Sequence, residues 1–215
     1  MSLKPMILYG EHRWFSPYVF SAFVALMEKG LPFEVRELVL SAGATREPEY
    51  RALSLTGRVP SLDHDGFVLS ESAAIVEYLD EGFPAPKWPR LLPEEPKARA
   101  RARQIMGFIR SDLVPLREER STETMFYVHA TRPLGVAARA AADKLIFVTE
   151  SLLDAGDVPF GSFCVADADL AFMLHRLILN GDALPDRVRA YAEKVFERPS
   201  IRAFVEKRRP ALTAS

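Results

Sequence analysis

Apolar positions fall into short runs over the first 84 residues and into helical stripes from about residue 97 onward. Met6–Tyr9 reads as a strand, and Gly10–Phe15 as a loop carrying a histidine, an arginine and two aromatics. Ser16-Pro17 then sets a helix start, with a hydroxyl at the N-cap and a proline at the first helical position. Val19, Phe20, Phe23, Val24 and Met27 recur at helical spacing until Lys29-Gly30 stops the helix. Phe33–Leu40 alternates enough for a second strand, and one helix is expected around Pro48–Leu53. Val59-Pro60-Ser61-Leu62 reads as a strand begun by proline, a residue that the middle of a central strand excludes. Asp65-Gly66 predicts a two-residue hairpin into Phe67–Leu69. Ala73, Ile75, Val76 and Leu79 then mark a short buried helix opened by Ser72. The order is β-α-β-α-β-β-α. A right-handed crossover makes the first two strands parallel, with the hairpin antiparallel beside them, which is a thioredoxin-like arrangement.

Phe83–Pro96 holds five prolines, at 84, 86, 89, 93 and 96, so it reads as a stiff linker. Beyond it the apolar period is helical throughout. Ala98, Ala102, Ile105, Ile109 and Leu116 line one face of a helix from about Lys97 to near Pro115. Leu134–Ala155 forms a second helix closed by Gly156, and Leu170, Met173, Leu174, Leu177 and Ile178 a third with a dense core-facing stripe. Pro185–Glu197 and Ser200–Lys207 supply two more. The expected organisation is an α/β domain over 1–84, a linker over 85–96 and an all-α domain over 97–215. Cys164-Val165-Ala166-Asp167 opens the third helix with a thiol, a weak acceptor, at the cap.

Composition narrows the chemistry. The formal net charge of −1 gives no bulk attraction to nucleic acid or anionic membrane. Arg99, Arg101, Arg103 and Arg110 crowd one helix, but Glu94–Arg120 holds seven basic and five acidic residues, which fits a solvated face. No apolar run approaches the roughly 20 residues needed to span a bilayer. Met1–Gly10 lacks a secretory pattern, so a cytoplasmic location is expected. A single cysteine, Cys164, excludes an intrachain disulfide and any Cys-x-x-Cys site. His12, His64, His129 and His175 are too scattered for a metal site, and no metal cofactor is expected.

Two features around residues 58–72 suit a small peptide. A cis Val59-Pro60 bond would turn the amide and carbonyl of Val59 outward, where an extended ligand backbone could pair with them as a strand does. Ser72 opens a helix whose free amides and hydroxyl favour a carboxylate, and Glu71 beside it suits an ammonium group. Together they match an amino-acid zwitterion.

Arg58-Val59-Pro60-Ser61-Leu62, followed by the run Ser70-Glu71-Ser72 through Ile75 to Leu79, resembles the glutathione-binding half of the cytosolic glutathione transferases. Phe15–Val19, Arg99–Ile105, Arg110–Arg120 and Ala166–Ala171 are similar to the YfcF-type bacterial members, so the resemblance runs essentially end to end. It implies a thioredoxin-like N-terminal domain, an all-helical C-terminal domain, a homodimer and glutathione as cosubstrate. It further implies a cis bond before Pro60, backbone pairing at Val59, and Glu71 and Ser72 on the γ-glutamyl group. Arg58, Arg46 and Arg51 are unranked candidates for the glycyl carboxylate.

Such an enzyme must deliver a thiolate from a thiol of pKa about 8.5. A hydroxyl donating to the sulfur is worth about 1.5–3 kcal/mol, or roughly one to two pKa units. Ser16, capping the first helix, is the residue expected to do this; Tyr9 and Tyr18 are rival hydroxyls. The second substrate, a small electrophile or peroxide, is expected against Trp14 and Phe15, with Gln104, Arg110 and Arg117 as polar contacts. The leading expectation is a serine-type transferase with glutathione-dependent peroxidase activity beside it. A zeta-like isomerase is the alternative, although zeta-class members carry Ser-Ser-Cys where this chain has Ser16-Pro17-Tyr18. A non-catalytic transferase-fold binding module is the other.

Overall fold

A computed structural model of the chain describes residues 4–154, 156 and 158–212. The chain divides into two compact units, Met1–Leu91 with Pro199–Ser215, and Leu92–Arg198.

The first unit contains β1 (Met6–Glu11), α1 (Pro17–Lys29), β2 (Phe33–Leu38), α2 (Pro48–Leu53), β3 (Ser61–His64), β4 (Phe67–Ser70) and α3 (Ser72–Gly82). The sheet order is β2-β1-β3-β4. β1 and β2 are parallel, with Leu8 opposite Val35. β3 is antiparallel to both neighbours, placing Leu62 opposite Leu8 on one side and Leu69 on the other. Asp65 and Gly66 both have positive φ, as a primed hairpin turn requires. The expected thioredoxin-like α/β arrangement is therefore present.

α1 explains much of this unit's cohesion. Phe20, Val24 and Leu26 are fully buried, and burying such a side chain is worth about 1.5–3 kcal/mol. A Cβ on Gly10 would lie 2.9 Å from Val19 Cγ1, so β1 passes close beneath α1 only because residue 10 is glycine. Gly30 ends the helix in the left-handed region at φ 63°. Lys29, read from sequence only as part of that stop, has a wholly buried side chain. Its Nζ donates to Asp80 Oδ1 at 2.9 Å and to the Phe83 carbonyl at 2.7 Å, tying the end of α1 to α3.

The second unit holds α4 (Pro96–Ser111), α5 (Val114–Glu119), α6 (Thr122–Phe126), α7 (Val136–Leu153), α8 (Val165–Ile178) and α9 (Asp186–Phe196). The helix expected to run to Pro115 breaks at Asp112–Leu113, where Pro115 sits in the first turn of α5. α6 had no sequence signal of its own. The expected end of the second helix at Ala155 lies outside the described residues; α7 ends at Leu153. α8 is buried from Val165 through Leu177 and packs on α4, α6 and α9. Its N-terminus is held by Asp167, whose Oδ2 accepts from the Cys164 amide at 2.9 Å. The Cys164 thiol is buried, and desolvation, then the Asp167 charge, pushes its pKa far up, so it is no nucleophile.

α10 (Pro199–Val205) departs from the expected division. Expected to close the helical domain, it packs on α1 of the first unit, with Phe204 edge-on to Phe20, Phe23 and Trp14. Apolar partners nearly 200 residues away in sequence explain the difference. Among the described residues no helix is long and apolar enough to cross a membrane.

Candidate functional site

Within the first unit, a cavity of about 510 Å³ is lined by Ser16, Tyr18, Leu40, Thr45, Gly57, Arg58, Val59, Pro60, Glu71 and Ser72. Three separate segments thus bring together six of the sequence-predicted residues. Of the three arginines considered for a carboxylate, Arg58 lines the cavity and Arg46 and Arg51 do not. The Arg51 side chain lies along Gly57.

Ser16 caps α1 as its sequence context predicts. Its Oγ accepts from the Val19 amide at 3.3 Å, so the hydroxyl proton remains available to an acceptor in the cavity. The turn that presents it is anchored from two directions. From inside, Glu11, 3% exposed, accepts from the amides of Phe15 and Ser16 at 2.6 and 2.8 Å through Oε1, and of Arg13 at 2.6 Å through Oε2. From the C-terminal segment, Arg209 donates to the Trp14 carbonyl through Nε at 3.1 Å and Nη2 at 2.8 Å. Trp14 itself sits at φ 53°.

The Val59-Pro60 peptide is cis. Among the described residues neither backbone group of Val59 has a hydrogen-bond partner. Beneath it lies a buried hydroxyl network. The Arg58 carbonyl accepts from Tyr50 Oη at 2.7 Å and Ser61 Oγ at 3.0 Å, and Ser54 Oγ lies 2.9 Å from both Ser61 Oγ and Ser70 Oγ. Burial, partly offset by the Ser61 and Ser54 hydroxyls, raises the Tyr50 pKa, keeping it a neutral donor. The network joins the Arg58–Pro60 turn to the strand end that carries Glu71. Glu71 is exposed and holds φ 72°, a costly conformation for a non-glycine residue, immediately before α3. Ser72 is 3% exposed at the first position of that helix. Anion-favouring amides and a carboxylate therefore share one rim.

The residues expected to meet a second substrate are divided between the two units. Trp14 is a core residue, 4% exposed, edge-on to Phe23 and Phe204 with its Nε1 donating to Glu37 at 2.8 Å. Its expected role as a pocket wall gives way to that packing, while Phe15 is half-buried. In the second unit, Arg110 pairs with Asp169 at 2.9 Å, and Arg117 donates to the Arg110 carbonyl at 3.0 Å. Gln104, bonded to Arg101, lines a separate cavity between α4 and α7 with Phe108 and Phe147. Among the described residues no group of three His, Cys, Asp or Glu side chains is placed to hold a metal ion.

Residues 15–81 match the family model of the glutathione S-transferase N-terminal domain, and residues 95–209 that of the C-terminal domain. The chain belongs to the glutathione S-transferase family. A glutathione transferase homolog from a Burkholderia (strain BGR1), solved with bound glutathione, is 41% identical over 94% of this chain and 97% of its own, with TM-score 0.76. Maleylacetoacetate isomerase of Pseudomonas aeruginosa is 40% identical over 52% of this chain and 51% of its own length. The enzyme of that name from Rattus norvegicus is 38% identical over 43% of each. This transferase-family chain thus spans about half the length of the curated relatives it matches. The cavity holding Ser16, Val59, Glu71 and Ser72 lies in the part that matches the N-terminal family model.

Proposed function

We propose that this chain binds glutathione in the cavity of its first unit, holds its sulfur as a thiolate against Ser16, and adds that thiolate to electron-poor carbon. The carrying observation is the convergence of Ser16, the unpaired Val59 backbone and the Glu71–Ser72 rim on one cavity. An extended tripeptide pairs with Val59 as an added strand, its α-carboxylate on the amides of α3 and its α-ammonium on Glu71. Arg58 takes the glycyl carboxylate. The Ser16 hydroxyl, its oxygen already accepting from Val19, donates to the sulfur and lowers the thiol pKa by roughly one to two units.

The relatives named maleylacetoacetate isomerase favour reversible addition over conjugation or peroxide reduction. The sulfur bonds to one carbon of a cis double bond conjugated to a carbonyl, and the π electrons move to the carbonyl oxygen. Rotation about the new single bond and expulsion of the thiolate leave the trans isomer and return glutathione unchanged. Conjugation is the second form, supported by the transferase homolog matched over nearly the whole chain. There the enolate is protonated and the thioether stays.

Calorimetric titration with glutathione, for wild type and Glu71→Ala, tests the site; no binding by wild type would sink it. Thiol balance during turnover of maleylacetoacetate then separates the reactions. Isomerisation consumes no glutathione, and conjugation consumes one per product. Binding without turnover of this or any electrophile tried would leave a non-catalytic module.

A further inference from the structure

Resting on the reading of Ser16 as the hydroxyl that serves the glutathione sulfur, we propose that Glu11 is the positioning residue that sets where this hydroxyl lies. β1 runs to Glu11, which stands opposite Leu38 in the sheet, so its backbone is fixed by strand pairing. Its side chain turns into the loop that follows. There one carboxylate takes the amides of Arg13, Phe15 and Ser16, all within 2.6–2.8 Å. The Glu11 carbonyl takes the Trp14 amide as well, at 3.3 Å. The four consecutive amides of residues 13–16, including that of the left-handed Trp14, are thus referred to a single strand end.

The Ser16 amide is the informative contact. It is buried, and a buried amide must find an acceptor. Glu11 Oε1 supplies it, which fixes the Ser16 backbone while leaving its hydroxyl facing the cavity. Charge alone would work against thiolate formation, since a nearby anion raises a thiol pKa. What Glu11 contributes is therefore geometry, and that separates it from a group acting by its field.

Two substitutions divide these effects. Glu11→Asp keeps the charge and withdraws the oxygens from the amides by one methylene. Glu11→Gln removes the charge and keeps one oxygen for the Phe15 and Ser16 amides. The readouts are the thiol pKa of bound glutathione, from thiolate ultraviolet absorbance against pH, and the glutathione Kd by calorimetry. Near-ultraviolet circular dichroism checks the fold. Glu11→Asp is expected to raise the thiol pKa by about one unit, a roughly tenfold loss of thiolate below it, with Kd changed less than about twofold. Glu11→Gln is expected to leave the thiol pKa at or below the wild-type value. In a Ser16→Ala background neither substitution should raise it further, because the hydroxyl being positioned is gone. Equal pKa in wild type and Glu11→Asp, a rise in Glu11→Gln, or an additive rise on Ser16→Ala would each overturn the assignment. Glu11→Gln decides alone if the aspartate variant does not fold. Failure of wild type to bind glutathione would instead strike the site reading, so the two failures are distinguishable.

Discussion

His175 makes the second unit lose stability as pH falls, by an amount the structure sets. The residue sits in the last turn of buried α8, 6% exposed, with its ring stacked on Phe196 at a centroid separation of 3.4 Å and an interplanar angle of 7°. Its Nδ1 lies 2.8 Å from the Ala171 carbonyl, so Nδ1 carries a proton and donates it there, a contact that opposes the effect of burial on the ring's pKa. Desolvation lowers its pKa to about 4, with Arg189 adding in the same direction. The unfolded chain binds that proton near pH 6.5, so between these values the unfolded state holds more protons and stability falls with pH. Integrating over that interval gives a loss of about 2 kcal/mol at pH 5 and about 3 kcal/mol at pH 4. Asp167, whose pKa burial raises, works in the opposite sense, so the informative quantity is a difference between proteins. His175→Phe keeps an aromatic ring on Phe196 and cannot titrate. Melting temperature followed from pH 7 to pH 4 should fall about 4–8 °C further by pH 5 in wild type than in the variant. Parallel curves for the two proteins would refute the reasoning, because they would mean that His175 titrates alike folded and unfolded.

Four other outcomes follow from contacts already described. Ser16→Ala should raise the thiol pKa of bound glutathione by roughly one to two units. It should also lower the melting temperature by about 2–4 °C, since the cap of α1 is worth about 1 kcal/mol. Glu71→Gln should weaken glutathione binding by about tenfold in calorimetry, as a charge-assisted contact to the ammonium is lost, without moving the thiol pKa. Asp80→Ala strands the buried Lys29 ammonium with the Phe83 carbonyl alone and should cost about 3–5 kcal/mol in denaturant unfolding. The double variant with Lys29→Met should be less destabilised than Asp80→Ala, and a sum of the single costs would deny that the pair is coupled. Arg209→Ala removes two bonds to the Trp14 carbonyl and should make the amides of residues 13–16 exchange faster with deuterium, which mass spectrometry of the amino-terminal peptides measures.

What the sequence disclosed was governed by range. Ser16-Pro17, Asp65-Gly66 and Ser70-Glu71-Ser72 are local signals, in which the residue type itself dictates a cap, a turn or a helix start. The resemblance named the family on Arg58–Leu62 and the run from Ser70 to Leu79. Glu11 was overlooked because β1 runs two residues beyond its apolar stretch, so a strand-end carboxylate looked like part of a polar loop. Lys29 was read only as part of a helix stop because its acceptors, Asp80 and the Phe83 carbonyl, lie more than 50 residues on. Trp14 and α10 share one cause: the ring that buries the indole, Phe204, is remote in sequence and gives no local sign of its destination. The Tyr50, Ser54, Ser61 and Ser70 hydroxyls left no pattern at all, since they are scattered over an expected helix, an expected strand and the segments beside them until the fold gathers them.

The return of α10 and Arg209 to the first unit has a consequence for biosynthesis. Residues 92–198 are contiguous and have every contact of their unit available as soon as they clear the ribosome. The amino-terminal unit, although translated first, must wait with Trp14 and Phe23 uncovered until Phe204 and Arg209 have been made. Nascent chains stalled short of that point would carry an unfinished Ser16 turn, which closes only once Phe204 and Arg209 are in place.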